Sequence, residues 1–272
     1  ILPGCIVLGT LLLTLIFCFP VESARENVRE SLYAMIEVKN DPEGDSTRKQ
    51  IISIKENFTD VLMVQNALEK VEGKSALAHA MYVYHYDLND ETYTTWQTEE
   101  SLLAFLKEGT EGLHLREYSK YWHGYLIYLK PLLMCMSWEA LEIFVVIVQI
   151  LLLIAIVAIA IRRKQALLGI GLLVALFYMK PLRIWISLDL SICWTIVLLA
   201  SLVLLVKYDS INKRKWQEEL FLLIGIVTVY MDFLTYPIVT LGIPLSIYLV
   251  LNQEEAMSLW KRAKQAFWMC VC

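Results

Sequence analysis

"YMDFLTYPIVTLGIPL", residues 230–245, is the stretch on which the reading of the fold turns. It lies inside an apolar block, residues 220–251, yet carries a carboxylate at Asp232, prolines at positions 237 and 244, and Gly242. Each crossing of a roughly 30 Å hydrocarbon layer by a helix takes about 20 residues. A block of this length broken by Pro237 therefore reads either as two short crossings, residues 220–236 and 238–251, or as a re-entrant pair. Irregular backbone around Pro237 and Pro244 would expose carbonyls that lipid cannot satisfy, so it belongs against protein or a watery cavity. A carboxylate at bilayer depth costs about 2.5–3.5 kcal/mol on insertion scales, which makes Asp232 a functional candidate. Its competing reading is a cap near the outer turn, paired with Thr235 or Tyr236.

Working outward, the whole chain is oily. Of its 272 residues 57% are hydrophobic and 19% charged, and its mean hydropathy is +0.53. Soluble domains are about half apolar and about a quarter charged. The composition predicts an all-α integral membrane protein. Beyond the block, further spans are expected at residues 1–20, 141–161, 166–179 and 188–206. Basic clusters follow alternate spans: Arg162, Arg163 and Lys164; Lys207, Lys213, Arg214 and Lys215; Lys261, Arg262 and Lys264. The intervening loop holds only Lys180 and Arg183. Basic loops remain in the cytoplasm. The alternation closes with six transmembrane helices, both ends inside, and a mainly helical extracytoplasmic domain between the first and second.

Four regions result: residues 1–20 as a first anchor, 21–138 as the extracytoplasmic domain, 139–252 as the multi-pass part, and 253–272 as a cytoplasmic tail or the start of another span. An uncleaved anchor is preferred to a signal peptide at the start, since no small-x-small cleavage site precedes Ser23. The absent initiator Met and the closing "AFWMCVC" suggest that both ends are truncated.

The domain at residues 21–138 carries 12 Lys and Arg against 19 Asp and Glu, a balance of −7. That argues against a nucleic-acid surface. All six cysteines lie in or beside apolar segments. A disulfide-free outer domain fits a bacterial surface, and on that reading the sequon at Asn57 is not glycosylated. Ser23 and Glu26 suggest a capping box for a helix over residues 24–38. Amphipathic helices are expected at 59–71, 75–86 and 98–108, the last stopped by Gly109.

"REYSKYWHGYLIYLKPLLMCMSW", residues 116–138, places Tyr118, Tyr121, Trp122, Tyr125, Tyr128 and Leu129 on one stripe if helical, as an aromatic belt at the membrane interface would. The alternative is one wall of a surface groove, with His123 as acid or base and Tyr121, Trp122 and Tyr125 as platforms for a sugar or lipid headgroup; Tyr236 joins them as a binding candidate. The third candidate, Asp60 in "KENFTDVLMV" (residues 55–64), is either a cap or first-turn acid favoured by the helix dipole or a catalytic or cation-binding carboxylate facing the membrane groove. No HExxH, GxSxG, Walker A or CxxC signature occurs, so no metal or cofactor is expected.

The blocks "ENFTDVLMV", "YSKYWHGYLIYLKPLL" and "YMDFLTYPIVTLGIPL" resemble those of an uncharacterised family of multi-pass membrane proteins of mainly Gram-positive bacteria. The resemblance covers most of residues 27–251 and is most specific in the WHGY and DFLTYP blocks. It implies topology and a bacterial cell membrane, and no known activity. Where the family usually has Arg, this chain has Lys120 and Lys130, which puts a bidentate contact there in doubt.

These readings converge on a cell-envelope membrane protein acting on a lipid-linked or glycan substrate at the outer interface, with Asp60, His123 and Asp232 as general acids or bases. Two alternatives stay open: a transport or export subunit with an ion site at Asp232, and a non-catalytic scaffold or sensor whose outer domain binds a partner. Beyond the lipid bilayer, the sequence names no protein partner.

Overall fold

The computed structural model describes residues 1–41, 45–47, 49–50, 58–88, 98–252, 260, 264 and 266–269. Asn57 of the sequon, part of the 41–47 linker and most of the 253–272 tail lie outside them. The chain divides into two compact units, Ile1–Phe144 with Ile186–Asp189, and Val145–Trp185 with Leu190–Cys272.

In the first unit, α1 (Leu2–Phe17) and α2 (Glu22–Asn40) meet at 78°. They are followed by α3 (Phe58–Leu68), α4 (Ala76–Tyr82), β1 (Tyr84–Asp87), α5 (Thr98–Glu108), β2 (His114–Glu117) and α6 (Leu126–Cys135). The centre is α3. Residues 60–68 are all buried, because α2, α5, α6 and β1 pack around the helix. Here the structure corrects the amphipathic expectation: Gln65 and Asn66 do not face water, and each donates to a partner, Tyr86 carbonyl oxygen and Tyr125 hydroxyl. Val61, Leu62, Met63, Val64 and Leu68 are nearly inaccessible. At about 1.5–3 kcal/mol for each such side chain, α3 anchors the unit.

The unit is not purely helical. Residues 84–86, expected to continue a helix, instead join Asp87 in a strand paired antiparallel with β2, with Tyr84 opposite Glu117 and Asp87 opposite His114. The alternation of aromatic and short side chains in "YHYD" suits a pleated ribbon better than a helix. His79, inside the preceding helix, ties it to the residues before it. Its Nδ1–H donates to Ser75 carbonyl oxygen (3.0 Å), and its Nε2 accepts from Val71 N–H (2.9 Å). α1 packs on α4 and α6, with the Phe17 ring 5.4 Å from His79 and the Lys130 ammonium 5.1 Å over the same Phe17 ring. The expected capping box does not form, since α2 begins at Glu22, whose carboxylate accepts from Val21 N–H, and Glu26 pairs with Arg29 at 2.7 Å.

α7 (Trp138–Arg162) and α10 (Leu188–Arg214) are each long and apolar enough to cross a membrane; the bent α1–α2 pair makes a third candidate if counted as one span. Between them lie α8 (Ala166–Tyr178) and α9 (Pro181–Ile186). In the second unit Gln149 Nε2 donates to Ser191 carbonyl oxygen (2.9 Å) and Thr195 Oγ1 (3.0 Å). Further along the same two helices Arg163 pairs with Asp209 at 2.7 Å. Gln149 to Arg163 and Thr195 to Asp209 are equal steps of 14 residues, roughly 21 Å at 1.5 Å per residue. α7 and α10 therefore run parallel. Parallel neighbours require the chain to return between them, and α8 does so: its Gly169 sits against Val157 and Ala160 of α7. The ion pair itself is exposed, so it records geometry more than it adds stability.

α11 (Gln217–Met231) and α12 (Pro237–Leu251) form an antiparallel hairpin, with Phe221 and Tyr248 ring centroids 6.0 Å apart. Tyr208 of α10 donates its hydroxyl to Asn252 Oδ1 (3.1 Å). The hairpin's open end thus lies beside the C-terminal end of α10, and its tip, residues 232–236, lies at the opposite end. Pro237 at the first turn of α12 supplies a preset φ where its missing N–H costs nothing.

Three lysines, Lys164, Lys180 and Lys215, take left-handed φ of 57–59° just after α7, α8 and α10. Lys215 stands where glycine ordinarily closes a helix, with Trp216 N–H returning to Ile211 carbonyl oxygen at 3.0 Å. A side chain there strains the backbone. Replacing Lys215 by glycine is expected to stabilise the detergent-purified protein by about 0.5–1 kcal/mol, read as a higher melting temperature.

Candidate functional site

The three acid–base candidates and their neighbours fall in different local settings. Asp60 lies in the first turn of α3 and is buried. Its carboxylate reaches the start of another helix. Oδ2 accepts from Leu188 N–H at 2.8 Å and Oδ1 from Asp189 N–H at 3.0 Å, with the Ser187 hydroxyl at 3.5 Å. These are the first amides of α10, which have no intrahelical acceptor. A carboxylate there satisfies two donors and the positive end of the helix dipole together. Ser187 also donates to the Asp189 side chain.

His123 stands at the centre of a buried chain of hydrogen bonds. A carbonyl oxygen only accepts, so His123 Nε2 carries the proton donated to Tyr118 carbonyl oxygen at 2.6 Å. His123 Nδ1 then accepts from the Tyr125 hydroxyl at 3.0 Å, and that hydroxyl accepts from Asn66 Nδ2 at 3.0 Å. Burial holds the imidazole near pKa 4, so the neutral tautomer required by this chain persists at neutral pH. Burial also raises the Tyr125 phenol. The network joins α3 to the segment before α6 through side chains that have both a donor and an acceptor role.

The aromatic stripe expected on a helix is not one. α6 begins only at Leu126, and residues 118–125 form a folded turn with His123 at φ 54°. Gly124 after a left-handed residue breaks the helical run, and the rings cluster instead of lining up. Tyr118 lies 5.1 Å from His123, with Tyr121 at 6.4 Å and Tyr125 at 5.7 Å. Tyr121 and Trp122 are half-buried, and Tyr125 is buried. Lys120 sits 5.3 Å over the Tyr121 ring.

Asp232, in the second unit, is buried in the tip of the α11–α12 hairpin. Its carboxylate accepts from Thr235 N–H at 2.9 Å and from Thr235 Oγ1 at 3.2 Å. It closes the turn in which Leu234 takes φ 60° and the chain enters α12. Tyr236 is 47% exposed, and its carbonyl accepts from Val239 and Thr240 N–H.

One ionisable group, Glu69, escaped sequence reasoning, and Lys130 entered it only as a departure from the arginine of the family that the chain resembles. Glu69 follows α3 directly and is fully buried, with neither carboxylate oxygen hydrogen-bonded to a described residue in standard geometry. Burial raises its pKa to about 8, against the weaker pull of Arg25 and the Tyr86 amide. Lys130, in α6, is equally inaccessible, and its Nζ donates to no described residue. Burial lowers it to about 8 as well. No sequence signal marks the burial of either side chain. Among the described residues, no three His, Cys, Asp or Glu side chains converge as a metal site would require.

Comparison with known proteins adds no relative: no family model, no curated protein and no solved structure matches the chain.

Two outcomes follow from these environments. Asp60→Ala leaves two buried amides without an acceptor and is expected to cost about 3 kcal/mol, measured by thermal unfolding in detergent. For Glu69 the folded pKa lies above the ordinary carboxyl value. The native state therefore holds a proton that the unfolded chain releases, and stability falls as pH rises from 4.5 toward 8. Glu69→Gln mimics the protonated form. Its melting temperature should exceed that of the parent at pH 8.5 and match it near pH 4.5.

Proposed function

We propose that the chain is a multi-pass membrane protein whose N-terminal unit is a non-catalytic binding module, a sensor or scaffold, carried by a helical membrane domain. The observation that carries this reading is the engagement of the candidate acids and bases. Asp60 holds the first amides of α10, His123 is held between Tyr125 and Tyr118, and Asp232 closes its own turn. General acid or base work needs a group within reach of a reacting atom and able to change its protonation near working pH. His123, buried and held near pKa 4, is poorly suited to that task. Action on a lipid-linked or glycan substrate would require these side chains to leave the bonds that shape the fold.

The geometry of the second unit supports the multi-pass arrangement. On this proposal α7, α8, α10, α11 and α12 would each traverse the bilayer and α1 would supply a sixth crossing; by length and composition alone α7 and α10 suffice, with the bent α1–α2 pair as a third. Arg162, Arg163, Lys164, Lys213, Arg214 and Lys215 gather at one end of this bundle. The positive-inside tendency makes that end cytoplasmic. The start of α7 at Trp138, and the preceding residues 21–138, then belong on the outer side of a cell membrane. α8, α11 and α12 hold 13, 15 and 15 residues, roughly 20–23 Å each, so these crossings are short and suit a locally thin bilayer.

The test is a substitution that keeps the fold and removes the acid–base group. His123→Gln retains one donor for Tyr118 and one acceptor for Tyr125. In a strain lacking the protein, the variant should insert at the parental level and restore whatever phenotype the deletion causes. Normal insertion with complete loss of complementation would return His123 to catalysis and overturn the binding-module reading. The same variant should also be less sensitive to acid. The parent's neutral buried imidazole favours the unfolded, protonated chain as pH falls from 6.5 toward 4, and that increment should be absent from the melting curve of His123→Gln.

A further inference from the structure

One cleft in the N-terminal unit lies apart from the His123 network. About 460 Å³ in volume, it opens between α2, the segment after α3, β1 and the C-terminal end of α5. Arg25, Arg29, Lys70 and Lys107 line it, against the single carboxylate of Glu72 among its described lining residues. Counting the Glu26 carboxylate that pairs with Arg29, four cations face two carboxylates, a local excess of two positive charges in a domain of net charge −7. Of the neighbouring carboxyls, Glu22 acts on Arg25 and Lys70 from solvent, where the attraction is screened, and Glu69 is raised to about 8 by burial and is mostly protonated at neutral pH.

The cations are positioned before any ligand arrives. Arg25 Nε donates to Leu68 carbonyl oxygen at 3.0 Å, and its guanidinium lies 4.8 Å over the Phe105 ring. Its two terminal nitrogens donate to no other described residue. Arg29 donates from Nε and Nη2 to Leu106 carbonyl oxygen at 3.1 and 2.9 Å. Both guanidiniums are thus fixed by backbone carbonyls, which removes much of the ordering entropy that a flexible arginine loses on binding. Lys70 and Lys107 are exposed at the rim and adjustable. Tyr86 stacks on Phe105 with centroids 5.8 Å apart and planes 13° apart, so one wall is a guanidinium–ring–ring column. The Thr110 side chain adds a hydroxyl at the mouth.

We infer that this cleft is a binding site for a phosphate group carried on a small polar molecule, and the inference names a ligand class for the binding module proposed above. Rigid guanidinium forks with mobile ammoniums match the several acceptor oxygens of a phosphate or pyrophosphate. Two carboxylates, Glu72 in the lining and Glu26 on Arg29, do not match the four cations. The volume falls within the range of roughly 300–1,000 Å³ typical of small-ligand pockets and is too small for a duplex. The aromatic wall suits a ring next to the phosphate. A free organic phosphate and a lipid headgroup share this chemistry.

The experiment is calorimetric titration of the full chain, purified in a neutral detergent at constant ionic strength, with inorganic pyrophosphate, glycerol 3-phosphate and dihexanoyl phosphatidic acid. The last two carry the same phosphate without and with acyl chains. Saturable binding that weakens tenfold or more in the Lys70→Gln, Lys107→Gln double variant supports the inference, provided the variant melts as the parent does. Lys70→Glu should weaken it further. Tighter binding of the phosphatidic acid by tenfold or more assigns the source to a lipid headgroup; equal binding assigns it to a free phosphate ester. Absence of saturable heat with all three compounds, or affinities unchanged in the double variant, overturns the site. Complementation by His123→Gln is independent of this result, so a failed cleft and a failed binding-module reading remain distinguishable.

Discussion

The carboxylate of Asp60 joins residues 128 positions apart by accepting the N–H groups of Leu188 and Asp189. A helix that begins in a buried setting exposes amides that no intrahelical carbonyl reaches, and each one left bare costs as much as a lost hydrogen bond. One side chain with two acceptor oxygens answers two of them. This constraint explains why residues 186–189 belong with the N-terminal unit although the rest of α10 does not. It also fixes where α3 can sit, and α3 is the element around which α2, α5, α6 and β1 are packed.

The remaining polar groups of that unit follow the same economy. Asn66, Tyr125, His123 and the Tyr118 carbonyl form a chain in which each hydrogen-bond donor meets an acceptor. His79 links Ser75 and Val71 in the same manner. His123, an acid–base candidate on paper, is thereby a neutral strut, and burial lowers the His79 pKa in the same sense. Among the exceptions, Asn66 Oδ1 and Trp138 Nε1 are neutral, while Glu69 and Lys130 are ionisable, each buried without a hydrogen bond to a described side chain. Keeping them in the interior opposes stability, and Glu69 adjoins Arg25, which lines the cationic cleft.

In the second unit, polar contacts act as rulers. Gln149 with Thr195 and Arg163 with Asp209 set two parallel helices in register, and Tyr208 with Asn252 places the last hairpin beside them. None of these contacts is strong, since the ion pair is exposed and the others are single hydrogen bonds. Their value lies in direction: apolar helices pack against one another with little preference for depth, and a polar pair fixes that depth. The three left-handed lysines at helix ends carry positive charge where carbonyl dipoles accumulate, which offsets part of the strain of a side chain in that conformation.

The sequence by itself determined the helical character, the positions of the long apolar helices and the broken hairpin at "DFLTYP", because hydropathy and proline act locally along the chain. It located α5 from Thr98 to Glu108 between an acidic first turn and Gly109. It did not reveal that "YHYD" is a strand, that residues 118–125 fold into a turn around His123, or that α3 is buried on every side. It also selected Asp60, His123 and Asp232 without showing what they hold, and it passed over Arg25, Arg29, Lys70 and Lys107. The physical reason is common to all of these. A carboxylate, an imidazole or a lysine looks the same in one dimension whether it meets water, a helix end or another cation, and only the packing of distant segments supplies the partner that decides its role.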